Sequence, residues 1–155
     1  MDYLKIFFIS MLPLVELRLA MPYAKVLGLP FWPALGVSVL GNLIPVPLIF
    51  YLARKILELG SHWPYLGRIF RFCLDKGHRA GQKLEKEARY GLYVALFLFV
   101  AIPLPGTGAW TGTLAASLLD LEPRRSFIAI ASGVITAGLI MWLATSGLLA
   151  IPWPF

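Results

Sequence analysis

The sequence predicts an all-α integral membrane protein in which two re-entrant hairpins and two full transmembrane helices form an inverted repeat, with a basic, amphipathic helical loop on the cytoplasmic side. Three observations carry that expectation. Of 155 residues 59% are hydrophobic and only 14% charged, where soluble domains carry roughly a quarter charged residues, and the mean hydropathy is +0.76. Uncharged runs cover 26–53, 90–119 and 126–155, each longer than the roughly 20 apolar residues that cross a hydrocarbon core. Two hydrophobic blocks are interrupted in their middle by proline, glycine or charge, whereas two are intact. The chain is read as one membrane domain over 1–155: a first repeat at 1–53, the loop at 54–89 and a second repeat at 90–155.

The first block, 5–28, is broken by Pro13 and Pro22, with Glu16 and Arg18 between them. Inside a helix a proline lacks the N–H for the carbonyl four residues back and crowds it, so Pro22 would free the carbonyl of Arg18. The short apolar stretch 6–15 is not read as a cleaved secretory signal: Asp2 precedes it, Glu16 and Arg18 follow it, and it carries no A-x-A site. The second block opens with Pro30, Phe31, Trp32 and Pro33 and runs uncharged over 34–53 to Arg54 and Lys55. At about 1.5 Å per residue it reaches roughly 30 Å, one full span.

Most of the basic residues behind the net charge of +6 lie in the hydrophilic stretch 54–89. Membrane orientation accounts for that clustering better than nucleic-acid binding does. Leu66, Ile69, Phe70 and Cys73 recur at helical spacing over 64–74 with Arg68, Arg71 and Asp75 turned away, the pattern of a basic amphipathic segment among headgroups. Over 78–89 the pairs Lys83/Glu87 and Glu85/Arg89 suit a solvated helix, weakened nearby by Gly77 and Gly81. Cys73 is the single cysteine, so no internal disulfide forms, and its place in the basic stretch suits a reducing cytoplasm.

The third block, 90–119, is broken by Pro103, Leu104, Pro105, Gly106, Thr107 and Gly108, and the fourth, 126–149, is a second full span entered from Arg124 and Arg125. Backbone groups freed at membrane depth must line a cavity or be buried in protein. Both broken blocks are therefore read as re-entrant hairpins, with kinked full spans as the alternative. Hairpins put 54–89 and Arg124/Arg125 on one side, which the positive-inside rule makes cytoplasmic; four full spans would separate them. A shift of about 92 residues lays Pro13 on Pro105, Ala24 on Ala116, Leu27 on Leu119, Leu29 on Leu121 and Gly41 on Gly133. Opposed hairpins would make the halves an inverted repeat, an arrangement that places a site near the bilayer midplane.

Ionisable groups within hydrophobic segments cost about 2.5–3.5 kcal/mol each on insertion scales and are usually functional, which singles out Glu16 and Arg18 for proton or ion coupling. Two residues apart on a helix, they point about 200° apart and form no local pair unless the backbone is broken there. Glu16 then needs Lys25, Asn42 or a proton as its partner; the alternative is a structural pair snorkelling to a membrane face. In the second hairpin Gly106 and Gly108 allow close backbone approach, and exposed amides with Thr107, Trp110 and Thr111 could hold an anion or polar headgroup. A tight turn at a hairpin tip explains the same residues. Asn42, beside Gly41 in the first span, should face protein or water, as a substrate contact or as packing. His62 and His78 have no cysteine pair or carboxylate cluster with them, so no metal or other cofactor is expected. There is no P-loop and no nucleophile with a base, so the chain does not read as an enzyme.

The strings PLVELRLAMPYA (13–24), GNLIPVP (41–47) and FVAIPLPGTGAWTG (99–112) together resemble the family of small multi-drug export proteins. More distantly the layout is similar to DedA and VTT-domain membrane proteins, a resemblance that implies two opposed re-entrant hairpins and, for some members, flipping of phospholipid or polyprenyl-phosphate. By position Glu16 matches the acidic residue of the first hairpin motif and Pro103 the proline of the second. Val100 and Gly106 stand where the DedA group has arginines, leaving Arg18 as the intramembrane arginine. The reading is a multi-pass transporter of the cell membrane, surrounded by lipid bilayer and moving a small-molecule or lipid substrate in exchange for a proton on Glu16. A homodimer fits so short a chain. The competing class is a membrane-organising or assembly protein whose hairpins only pack.

Overall fold

The computed structural model describes residues 1–13, 15–60, 90–104 and 106–150, together with Phe72, Asp75 and Arg79. Pro105, the amphipathic segment expected over 64–74 apart from Phe72, the helix expected over 78–89 apart from Arg79, and the terminal 151–155 lie outside them. The described residues are helical, in the order α1 (Asp2–Met11), α2 (Glu16–Val26), α3 (Phe31–Leu43), α4 (Pro45–Gly60), α5 (Gly91–Ala101), α6 (Ala109–Leu118) and α7 (Pro123–Ala150). Two stretches are long and apolar enough to cross a membrane: Phe31–Ile56, made of α3 and α4, and Pro123–Gly147 of α7. The other four helices have 10 or 11 residues, about 15 Å each, half of a hydrocarbon core.

The breaks follow from proline sterics. Leu12 and Ile102, which precede Pro13 and Pro103, are both extended, with ψ of 137° and 117°, because a following proline disfavours the helical region. Pro103 therefore ends α5 at Ala101 and does not sit inside a helix. Pro22 corrects the expectation in the other direction: α2 runs through it without a break. The interruption of the first block is confined to 12–15, with Glu16 opening α2 in the left-handed region at φ 51°. α3 and α4 likewise continue through Ile44, which is helical, despite Pro45 and Pro47.

Arg54 at the end of α4 pairs with Asp120 just before α7 at 2.7 Å, and Phe31 at the start of α3 packs on Trp142 late in α7 with ring centroids 5.0 Å apart. The two long stretches are thus antiparallel, with Arg54, Arg124 and Arg125 at one end and Phe31 and Trp142 at the other. α5 begins beside Arg125, where Tyr90 and Tyr93 share a cleft with it, and α6 leaves at Asp120, at that same end. α1 packs along α2, whose Lys25 bonds Ser146 of α7 at the Trp142 end.

Positions 92 apart do the same structural work. Both α2 and α6 finish in a Schellman motif: Leu29 N–H bonds Ala24 O and Leu121 N–H bonds Ala116 O, each at 3.0 Å, around a left-handed Gly28 and a left-handed Asp120. Gly28 takes that conformation freely; Asp120 is one of the residues that tolerate it. Gly41 and Gly133 are the crossing points of the long helices with α1 and α5. A Cβ at Gly41 would collide with Phe7 O and Ser10 Oγ, and one at Gly133 would lie 2.9 Å from Phe97 O and 2.8 Å from Val100. Gly133→Val should lower the detergent unfolding midpoint by an amount equivalent to about 1–3 kcal/mol through overpacking. Gly36→Ala, with open space at that Cβ, should be neutral or stabilise by up to about 1 kcal/mol through helix propensity. Equal midpoints for the two variants would refute this packing account.

Candidate functional site

The two breaks meet near the middle of both long stretches. α6 starts at Ala109 with Gly108 as its N-cap, and glycine offers no side chain to satisfy the free N–H groups of the first turn. Glu16, from the other half, supplies the missing acceptor: its Oε1 accepts from Trp110 N–H at 3.2 Å, with Ala109 N–H beside it. A carboxylate there also meets the positive end of the α6 dipole. Glu16 is 5% exposed. Gly108 has φ 155°, and a Cβ on it would come within 2.6 Å of the Glu16 Cδ, so this approach needs a residue without a side chain.

Arg18, one half-turn further along α2, holds residues between α5 and α6. Its guanidinium donates to Leu104 O, to Ile102 O at 3.3 Å and to Thr107 Oγ1 at 2.7 Å. The Thr107 hydroxyl lies in turn 2.8 Å from Ile102 O and 2.9 Å from Leu104 O. Ile102 O also accepts from Leu104 N–H at 2.8 Å and Leu104 O from Thr107 N–H at 3.2 Å, so the arginine fork adds charged donors to carbonyls that non-helical turn bonds already engage. Arg18→Lys should lower the unfolding midpoint by the equivalent of about 2–3 kcal/mol, since a tetrahedral ammonium on a shorter side chain cannot match the reach and planar fork with which the guanidinium donates to these three oxygens. A lysine variant as stable as the parent would show that the clasp is incidental.

A cavity of ≈ 10 Å³ lies between the halves, lined by Glu16, Leu17, Arg18, Asn42, Val100, Gly108, Ala109, Val134 and Ala137. Asn42 is 2% exposed, and its Oδ1 has no hydrogen-bond donor among the described residues. Of the residues singled out in the sequence, Glu16, Arg18, Asn42 and Gly108 come together at this cavity. Trp110 contributes through its backbone, and its indole N–H is buried without an acceptor among the described residues. Thr107 serves Arg18, while Thr111 Oγ1 turns back to Gly108 O at 3.4 Å within its own helix. Gly106 has φ 81° and open space around it, which makes it a turn residue. Lys25 is not the partner of Glu16: it bonds Ser146 Oγ and lies 5.0 Å from the Trp142 ring. Among the described residues no cluster of histidine, cysteine or carboxylate is suited to a metal ion.

Sequence reasoning missed the small residues that make this meeting close. Gly112 on α6 lies where a Cβ would be 2.8 Å from Val100, and Gly138 on α7 where one would be 3.1 Å from Leu17. Ser38, one turn before Asn42 on α3, is fully buried. The signal was a face: Ala34, Ser38 and Asn42 recur every four residues, a small and polar stripe on an otherwise apolar helix.

Neither a curated protein nor a solved structure matches the chain. A family model described as "Putative small multi-drug export protein" matches residues 16–140, a stretch that opens on Glu16 and takes in every residue lining the central cavity. With its long apolar helices and that match over most of its length, this chain is a membrane protein belonging to the small multi-drug export protein family.

Proposed function

We propose that the chain is a proton-coupled secondary transporter whose substrate passes between two opposed re-entrant hairpins, α1–α2 and α5–α6. The observation that carries this reading is the contact of the two breaks, Glu16 on Trp110 N–H and Arg18 on the carbonyls of Ile102 and Leu104 and the hydroxyl of Thr107, beside a cavity near the centre of both long helices. Ionisable side chains at that depth are costly to keep without a function. The matching Schellman motifs and crossing glycines support an inverted repeat, and rocking of one half against the other would expose the site to each side in turn. In this reading Glu16 exchanges a proton for substrate, the protein performs no covalent chemistry, and it works in the cell membrane as a multi-pass protein, alone or as a homodimer.

A second reading, flipping of lipid or polyprenyl-phosphate, draws on Arg18 lying close to the N-terminus of α6, a pairing of positive groups suited to phosphate. Purified protein in liposomes under an imposed pH gradient decides between them. Gradient-dependent movement of a cationic dye supports the exporter; gradient-independent flipping of a fluorescent phospholipid supports the flippase; neither activity in protein that remains folded returns the chain to a membrane-organising role. Topology has its own test. With Cys73 removed, Arg79→Cys and Arg125→Cys should be labelled from the cytoplasm, and Phe31→Cys and Phe155→Cys from outside. Opposite labelling of positions 79 and 125 would refute the hairpins.

A further inference from the structure

We infer that the central cavity is a single-water site in which Asn42, through Oδ1, accepts the hydrogen bond that holds a proton at Glu16, so that Asn42 belongs to the proton site and not to the substrate site. This rests on the proposed role of Glu16 and deepens it. Two observations carry it. Asn42 Oδ1 is an acceptor without a donor among the described residues, in an almost fully buried residue, and an orphaned buried acceptor costs about 1–3 kcal/mol unless something donates to it. The space it lines is ≈ 10 Å³ and also touches Glu16, close to the least volume that holds one water.

The hydrogen bonding is complementary. Deprotonated Glu16 is an acceptor only, already engaged by Trp110 N–H through Oε1. A water in the cavity has two hydrogens, one for the carboxylate and one for Asn42 Oδ1, and satisfies both. When Glu16 takes up a proton, its O–H donates to the water oxygen and the water still donates to Asn42, so no acceptor is stranded in either state. The charged group facing Glu16 across this space is Arg18, on the same helix; α3, α5, α6 and α7 contribute Asn42, Val100, Gly108, Ala109, Val134 and Ala137, none of them ionisable. A cavity this small admits no hydrated metal ion.

The test is difference infrared spectroscopy of the purified, lipid-reconstituted full chain during a pH step, with Glu16→Gln used to identify the carboxylic-acid carbonyl band of Glu16. The expected result is a water O–H stretching band that moves when the oxygen of water is exchanged for its heavy isotope and is lost in Asn42→Leu, where the Glu16 carbonyl band shifts to the higher frequency of a less hydrogen-bonded acid. Asn42→Ser, whose hydroxyl is an acceptor that does not titrate, guards against reading misfolding as loss of the site and should restore water sensitivity. The lack of such a water band, or a Glu16 band indifferent to Asn42→Leu, overturns the inference, as does a Glu16 band abolished by Na⁺ at fixed pH. The expected water band and Glu16 shift without substrate flux would sink the transport reading and leave the water site standing.

Discussion

Glu16→Gln is expected to abolish flux driven by a proton gradient while the protein remains inserted and folded. The amide keeps the shape of the carboxylate and an oxygen that can accept from Trp110 N–H, so the cap of α6 survives in weakened form. The change from a charged to a neutral acceptor should cost about 1 kcal/mol, read as a small fall in the detergent unfolding midpoint. What the amide cannot do is bind and release a proton. Flux down a substrate gradient alone should persist in Glu16→Gln but lose its pH dependence, and the counterflow of protons measured with an internal pH dye should vanish. An unchanged pH dependence would make Glu16 a helix cap and nothing more.

Gly108→Val should be the most damaging single change at the site, eliminating flux and lowering stability by about 2–6 kcal/mol. Two costs add. A β-branched residue held at φ 155° stores about 1–3 kcal/mol of backbone strain, and its side chain would occupy the position of the Glu16 carboxylate, adding overpacking of similar size. Trp110→Phe is the contrast. The indole N–H is buried without an acceptor among the described residues, so deleting it removes a desolvated donor and should leave stability level or slightly higher. Flux normalised to monodisperse protein, together with the midpoint, checks both. If Gly108→Val and Trp110→Phe behave alike and near normally, the second break is a connector and the meeting of the two breaks has no functional weight.

The long helices were legible in the sequence because their signal is one-dimensional: uncharged runs, closed by Arg54 and Lys55 and opened by Arg124 and Arg125. The break at Pro103 was legible for the same local reason, while Pro22 was not. A proline removes one hydrogen bond wherever it stands, and whether the helix survives depends on the packing around it; Ala20, Met21 and Ala24 are fully buried and hold α2 together. Glu16 and Arg18 stood out by the cost of their charges, but their partners lie 84 to 94 residues away, beyond any local pattern. The 92-residue shift did contain part of the answer, since it lays Glu16 on Gly108, the two residues that meet. Residue identity hid that match, because a charged side chain and a glycine share no chemistry that would mark them as partners.

The long separation between Arg18 and its acceptors also bears on biosynthesis. Glu16 and Arg18 are translated and delivered to the bilayer well before Ile102, Leu104 and Trp110 exist to receive them. Until then the first half carries two ionisable groups with no partners from the second, each costing a few kcal/mol in hydrocarbon. The nascent α1–α2 pair should accordingly wait near the interface or in the insertion machinery and reach its final depth only after α5 and α6 emerge. Insertion of this protein is then a late, concerted step, and a ribosome stalled before residue 102 would hold a first half still open to water.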